Sequence, residues 1–219
     1  MAKVTLYGVH LSPYVRKVRL ALAFKGIEYE HIPVIPFGPD QPPEFTQNSP
    51  LGKVPLLKAD DTWLPDSSVI CGWAQREVPV PSLFPTDNLL AARASWYEEY
   101  ADSHMVAVIG GHLFAEIVLA PAIFKREPIQ ADIDKAIGTE IPGIFDYLEG
   151  ELTGDYLVGD SLSLADISVC GVFVSMHHCQ HQCDAARWPK TSAYIDRIHN
   201  AELFTKLIEE EKQMMAMFS

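Results

Sequence analysis

The sequence predicts two unlike domains, an α/β domain followed by an all-α helical bundle domain. Short β-favouring runs alternate with helical patterns over the first 78 residues. Beyond Val78-Pro79-Val80-Pro81, strand signals largely disappear and long helical patterns take over. We therefore predict an α/β domain at residues 1–78, a linker at 79–88 and an all-α domain at 89–219.

The chain begins with the pattern of a β-α-β unit. The run from Lys3 to Gly8 favours a strand, and Pro13 to Lys25 carries an apolar helical face that ends before Gly26. The cations of this helix are placed mostly off that face: Arg16, Lys17 and Arg19. A second strand is predicted from Glu28 to Val34, and this connectivity favours parallel pairing with a right-handed crossover.

The rest of the α/β domain has the pattern β-β-α. The segment at 35–50 is rich in proline and is interpreted as a long loop. The runs at 54–58 and 62–64 flank a polar turn and predict an antiparallel hairpin. A helix is predicted from Ser67 to Glu77, with apolar residues on one side.

The second half predicts long helices. One extends from Leu89 to about Leu119 with a bend at Gly110-Gly111, and a second covers 133–152, where Pro142-Gly143 predicts a kink or break. Further on, Ser163-Leu164-Ala165-Asp166 predicts a reciprocal helix cap, with Leu162 and Ile167 as its hydrophobic staple. The role of this cap is structural.

Composition excludes several classes of function. The formal charge of −12 at pH 7 repels phosphate backbones and anionic lipid, so nucleic acid and membrane surfaces are not expected partners. We see no apolar run of about 20 residues and no secretory pattern, and we expect a cytoplasmic protein. The four cysteines include no C-x-x-C pair and are interpreted as reduced thiols, with Cys71 and Cys170 in the core.

The first candidate site residue is Ser12, at the predicted N-terminus of a helix. Unpaired backbone N–H groups and the helix dipole favour an anion there, and the serine hydroxyl can donate to a thiolate. Lowering a thiol pKa by about two units from 8.5 makes the thiolate the major species at neutral pH. A serine before proline also serves as a simple cap. The site hypothesis therefore depends on Lys53-Val54-Pro55 and Asp66-Ser67, which follow in order.

In this order the motifs resemble those of the serine-type glutathione transferases. That family has a thioredoxin-like N-terminal domain with a catalytic serine or tyrosine, a Val-Pro step and an acidic-Ser pair, and residues Lys3 to Glu77 follow the same plan. The helix cap near residue 163 resembles the folding motif of the family's helical domain. The resemblance implies a thioredoxin-like domain joined to an all-α bundle, glutathione as co-substrate without another cofactor or a metal, and a homodimer.

The resemblance also implies a role for each site residue. Ser12 is the catalytic hydrogen-bond donor. The implied glutathione-binding residues are Lys53, Val54, Pro55, Asp66 and Ser67. A cis bond before Pro55 would let the backbone of Val54 pair with the cysteinyl unit. Asp66 and Ser67 would take the γ-glutamyl ammonium and carboxylate, and Lys53 the glycyl carboxylate, although capping residues and an exposed lysine need no ligand.

Three features of the sequence bear on alternatives to these site residues and to this activity. Tyr7, at the end of the first strand, offers a competing phenol of the kind that tyrosine-type classes use. Asp40-Gln41 stands where several serine-type classes carry His-Lys, so one cationic contact is missing or replaced. The Ser12-Pro13-Tyr14 motif resembles the Cys-Pro-Tyr of glutaredoxins, but an alcohol cannot form the mixed disulfide of thiol exchange.

The implied activity is conjugation of glutathione to small apolar electrophiles. Helix phase suggests a second-substrate pocket lined by His10, Leu11, Tyr97, His104, Met105 and His112. Other possibilities are a glutathione-dependent isomerase or peroxidase on the same scaffold, or a non-catalytic interaction protein.

The cluster of histidines and cysteines at 177–183 raises the question of a metal site. His177 and His181 share one helix face, and Cys179 and Cys183 share another. The run lies where a helix ends, without a rigid frame of three or four converging ligands. We interpret it as a polar helix terminus and predict no metal.

Overall fold

The computed structural model describes residues 2–216. The chain divides into two compact units, Met1–Leu83 and Phe84–Ser219, and the division falls inside the predicted linker at 79–88. Met1 and residues 217–219, which the predicted domains include, lie outside the described range.

The first unit is built on a four-stranded sheet with the order β2-β1-β3-β4. The strands are β1 (Val4–Tyr7), β2 (Glu30–Ile32), β3 (Leu56–Ala59) and β4 (Thr62–Pro65). The pairing of β1 with β2 is parallel, and the pairings of β1 with β3 and of β3 with β4 are antiparallel. The predicted β-α-β unit and hairpin are therefore confirmed.

Three helices complete this unit: α1 (Pro13–Phe24), α2 (Pro43–Asn48) and α3 (Ser67–Glu77). Helix α2 corrects the interpretation of 35–50 as loop throughout. It has only six residues, too few for a periodic signal, and it begins with a proline, which suits a first helical turn. Phe45 anchors it in the core without exposed surface.

The cations of α1 also require a correction. Arg16, Lys17 and Arg19 were predicted mostly off the apolar face, yet all three are buried. Their polar ends find hydrogen-bond acceptors: the Leu11 carbonyl for Arg16, the Ser68 hydroxyl for Lys17 and the Tyr29 hydroxyl for Arg19. The aliphatic stems pack with the core while these bonds offset the loss of water.

Gly8 fits a close approach between β1 and α1, and it supplies a first prediction. A Cβ at this position would lie 2.4 Å from Cγ2 of Val15, whose side chain is fully buried. Gly8→Ala is therefore expected to lower the free energy of unfolding by about 1–3 kcal/mol through overpacking. Urea unfolding measures this loss. Gly154→Ala, where nothing lies within 4 Å, is the control, and equal midpoints for the two variants would contradict the prediction.

The second unit is helical. Its helices are α4 (Asn88–Ala122), α5 (130–151), α6 (Leu164–His178), α7 (Pro189–His199) and α8 (Glu202–Met215). Helix α6 is buried from Leu164 to Met176 and packs against α4. The two helices that the sequence predicted correspond to α4 and α5.

Both long helices contain π-helical hydrogen bonding, at Tyr100–Leu119 in α4 and at Ala136–Glu140 in α5. Helix α4 continues through the predicted bend at Gly110-Gly111. Of the predicted kink or break at Pro142-Gly143, the break is wrong, because α5 continues through both residues. Pro142 lies in the first turn of Ile141–Glu151, directly after the π turn, where a wider winding accommodates a residue that lacks an N–H donor.

By length and composition α4 is apolar enough to cross a membrane, contrary to the expectation that no such segment exists. However, 44% of its most apolar stretch is buried inside the protein. Met105, Ile109 and Leu113 have no exposed surface. A core helix of a globular domain meets the same criteria of length and composition.

The predicted cap of α6 is confirmed, and it joins more of the domain than the sequence indicated. The fully buried Asp166 accepts hydrogen bonds from the N–H and hydroxyl of Ser163, at 2.9 and 3.0 Å. It also accepts from the Leu157 N–H at 2.9 Å and from the Tyr194 hydroxyl at 3.0 Å. One carboxylate thus connects α6, the preceding loop and α7.

Candidate functional site

Ser12 caps α1, as the sequence predicted. Its Oγ accepts a hydrogen bond from the Val15 N–H at 3.4 Å, a long bond, and Pro13 opens the helix. Within residues 2–216 the hydroxyl donates to no acceptor, so its proton is available to a ligand. A hydroxyl donor therefore lies at the positive end of a helix of 12 residues.

The loop before β3 presents main-chain groups. The Val54-Pro55 peptide is cis, as the resemblance implies. Across the described part of the chain, neither the N–H nor the C=O of Val54 has a hydrogen bond. Next to it, Lys53 is exposed, and its ammonium makes no ion pair or hydrogen bond with residues 2–216. An extended peptide can pair with the Val54 backbone, with a free cation beside it.

Asp66 and Ser67 open α3. Asp66 has φ 78°, which is uncommon for a residue with a side chain, and its Oδ1 accepts from the N–H groups of Ser68 and Val69 at 2.8 and 3.1 Å. Backbone strain of this kind concentrates at ligand sites. Ser67 is 2% exposed, and its N–H and hydroxyl find no partner in the described chain. The turn thus offers two donors beside a carboxylate.

The contacts of two lysines define the relative direction of helices α1 and α3. The Lys17 ammonium donates to Ser68 Oγ near the start of both helices, and the Lys25 ammonium donates to Gln75 Oε1 near their ends. The helices are therefore parallel, and their N-termini lie at the same end of the domain. Ser12 and Ser67 belong to one positively polarised edge.

Tyr7, the competing phenol, lies in surroundings that differ from those of Ser12. Strand alternation places it on the sheet face of Thr5 and Lys58, opposite Leu6, and it lines an open groove of about 420 Å³. None of the predicted glutathione contacts lines that groove. Burial raises the pKa of Tyr7, and the carboxylates of Glu44 and Glu30 raise it further.

The predicted second-substrate residues of the first unit are His10 and Leu11. The His10 ring lies 4.1 Å from that of His31, and Leu11 is buried, with its carbonyl accepting from Arg16. Nearby, the departure at Asp40-Gln41 has a local role, because the Gln41 amide donates to the Pro36 carbonyl at 2.6 Å.

The other four residues that were predicted to line the second-substrate pocket lie on α4. Tyr97 and Met105 are fully buried, and the Tyr97 hydroxyl bonds to Glu151 at 2.8 Å. His112 pairs with Glu140 at 2.7 Å, whereas His104 is exposed and its ring faces Tyr100. Tyr97 and Met105 therefore have core positions, and the two histidines keep contact with solvent.

The segment at 177–183 has no metal-site geometry. Residues 2–216 contain no group of three or more His, Cys, Asp or Glu that could hold a metal ion. His178 is hydrogen bonded to Glu211 at 2.9 Å, and burial raises the pKa of Cys179 and of Cys183 to about 12. Helix α6 ends at His178, which agrees with the interpretation as a helix terminus.

Comparison with known proteins gives consistent matches. The family described as glutathione S-transferase, N-terminal domain, matches residues 6–82, and glutathione S-transferase, C-terminal domain, matches 100–202. Glutathione S-transferase 4 of Zea mays is 33% identical over 80% of this chain and 76% of its own length. Glutathione S-transferase Z1 of Arabidopsis thaliana is 32% identical over 75% and 73%.

Solved structures share the fold. A glutathione S-transferase from Methylobacterium radiotolerans, crystallised in complex with glutathione sulfonate, superposes with a TM-score of 0.75. The alignment covers 94% of each chain at 24% identity. Both domains of the fold are thus matched.

Proposed function

The chain belongs to the glutathione S-transferase family, and on that premise we propose that it transfers glutathione to small apolar electrophiles, with Ser12 as hydrogen-bond donor to the thiolate. The observation that carries the proposal is the Ser12 hydroxyl, whose proton no acceptor in residues 2–216 takes, at the N-terminus of α1. Ser12 is a donor in this proposal and not a nucleophile.

Three groups of contacts hold the tripeptide. The unpaired N–H and C=O of Val54 pair with the cysteinyl unit in antiparallel fashion. The N–H and hydroxyl of Ser67 take the γ-glutamyl carboxylate, and the free oxygen of Asp66 takes its ammonium. The exposed ammonium of Lys53 attracts the glycyl carboxylate. The glutathione sulfonate complex of the Methylobacterium relative supports a ligand of this class.

The energetics of thiolate formation are compatible with these groups. A pKa lowered by about two units corresponds to roughly 2.7 kcal/mol. A hydrogen bond to a charged group contributes about 1.5–3 kcal/mol, and a helix N-terminus about 0.3–1 kcal/mol. Ser12 and α1 together contribute about 1.8–4 kcal/mol, a range that includes the required free energy. The thiolate sulfur then forms a bond to the electrophilic carbon, and the leaving group departs with the electron pair of the broken bond.

The surroundings of Tyr7 support Ser12 as the donor. The Glu44 and Glu30 carboxylates that disfavour the phenolate of Tyr7 would repel a thiolate for the same reason. Ser12 has the positive end of α1 beside it instead.

Partners follow from the same proposal. The protein binds glutathione and a small electrophile, needs no metal, and acts in the cytoplasm. The charge of −12 supports the absence of nucleic acid and membrane partners.

We also propose a homodimer. Support comes from apolar side chains left exposed on α3 and α4, which are Val69, Leu89, Leu90 and Trp96.

Calorimetry with glutathione, combined with a thiolate absorbance titration, tests the proposal. We expect binding at millimolar glutathione or below and a bound thiol with a pKa well under 8.5. Failure to bind would overturn the enzyme proposal, and binding without thiolate would favour a non-catalytic interaction protein. Assays with aryl halides, activated alkenes and hydroperoxides then separate transferase from isomerase and peroxidase activity.

A further inference from the structure

Lys17 is a buried cation that the proposed mechanism does not use. It is 1% exposed and lies on α1, five residues after Ser12. Its ammonium donates to Ser68 Oγ at 3.3 Å, and Ser68 directly follows Ser67 in the first turn of α3. The ammonium thus joins the helix of the thiolate donor to the turn proposed to bind the γ-glutamyl group.

We infer that Lys17 is a positioning residue for glutathione, which sets the first turn of α3 against α1 and so fixes the spacing between Ser12 and Ser67. The inference rests on the proposed function. One tripeptide must reach both helix N-termini at once, so a small displacement of either end weakens binding and moves the sulfur away from its donor.

The contacts of Ser68 make the positioning specific. Its N–H is held by Asp66 Oδ1 at 2.8 Å, and its hydroxyl is held by Lys17 at 3.3 Å. The two bonds fix the first turn of α3 from both sides, while the donors of Ser67 between them stay available. A charge-assisted bond is stronger than a neutral one, and its formal charge also favours an anion at this edge.

Lys25 provides a matched comparison within the same pair of helices. It is 4% exposed and also joins α1 to α3, through Gln75 at 2.6 Å, and it contacts the Pro81 carbonyl. These contacts lie at the opposite ends of both helices from Ser12 and Ser67. A purely structural role of such a lysine would affect stability equally at either position.

The test compares Lys17→Met and Lys25→Met in the full chain, with urea unfolding, calorimetry with glutathione and the pKa of the bound thiol. We expect both variants to lose stability. Only Lys17→Met should weaken glutathione binding, by about tenfold, and raise the thiol pKa. Lys17→Arg, which keeps a charged donor, should recover part of the affinity. Ser68→Ala removes the acceptor from an exposed residue and should weaken binding in the same direction, even where Lys17→Met does not fold.

The outcomes are separable. Wild-type protein that does not bind glutathione would overturn the proposed function and this inference together. Wild-type binding with unchanged affinity in Lys17→Met, or in Ser68→Ala where the lysine variant does not fold, would overturn the inference alone. Equal loss of affinity in Lys17→Met and Lys25→Met would also overturn it, because the effect would then be general destabilisation.

Discussion

Ser12→Ala is expected to lower kcat/KM for glutathione conjugation by about 10²–10³-fold, the typical effect of removing one donor to a developing or stabilised anion. The pKa of the bound thiol should rise, because the hydroxyl stabilises only the ionised form. Binding of glutathione should change much less, since the contacts proposed for Val54, Asp66 and Ser67 hold the tripeptide through other atoms. Steady-state kinetics and thiolate absorbance measure the two effects.

The dependence of the rate on pH shows in which direction Ser12→Ala moves the pKa of the bound thiol. A lowered thiol pKa keeps the thiolate populated down to that pKa, so the wild-type rate falls only as the pH drops through it. In Ser12→Ala this acidic limb should move to higher pH. Ser12→Thr keeps a hydroxyl and should retain most of the activity. If Tyr7→Phe shifts the limb and Ser12→Ala does not, the assignment of the catalytic donor is wrong.

Asp166→Ala should have the largest effect on stability, a loss of about 3–5 kcal/mol. The substitution leaves four buried donor groups without their acceptor: the Leu157 N–H, the N–H and hydroxyl of Ser163, and the Tyr194 hydroxyl. Each unsatisfied buried donor costs about 1–3 kcal/mol. Since whole domains are stable by only about 5–15 kcal/mol, the variant should unfold far earlier in urea and on heating.

Asp160→Ala is the matched control for this experiment. Asp160 is an exposed aspartate of the loop before α6, and its replacement should change the free energy of unfolding by no more than about 0.5 kcal/mol. Asp166→Asn, which keeps one carbonyl acceptor, should fall between the two. A urea midpoint for Asp166→Ala close to that of Asp160→Ala would refute the role assigned to the hydrogen bonds of Asp166.

Local patterns account for what the sequence predicted well. The helix starts at Ser12 and Asp66 and the cap at Asp166 depend on residues within a turn of each other, so their signals are present in a short window. Helix α2 was missed because six residues do not complete two turns. The π turn before Pro142 was missed because neighbouring helices, and not local propensity, decide how a helix is wound there.

The candidate site also has parts that a short stretch of sequence indicates and parts that depend on distant residues. The proposed role of Val54 belongs to its main chain, which leaves no signal in the identity of its side chain, and only the family resemblance indicates it. Helical phase places Lys17 mostly off the apolar face, because its acceptor Ser68 lies 51 positions away and gives no local signal. Burial of Arg16, Lys17 and Arg19 depends on such distant partners, and helical periodicity alone assigns cations to the solvent side.

The surroundings of the four thiols bear on the proposed function, in which the electrophilic substrate alkylates sulfur. Cys71 and Cys170 have no exposed surface, and burial raises the pKa of Cys179 and of Cys183 to about 12, which disfavours their thiolates at neutral pH. The protein's own thiols should therefore compete poorly with the proposed glutathione thiolate for a reactive electrophile. Under the proposed function, we expect the protein to keep its activity in the presence of compounds that inactivate proteins with accessible thiolates.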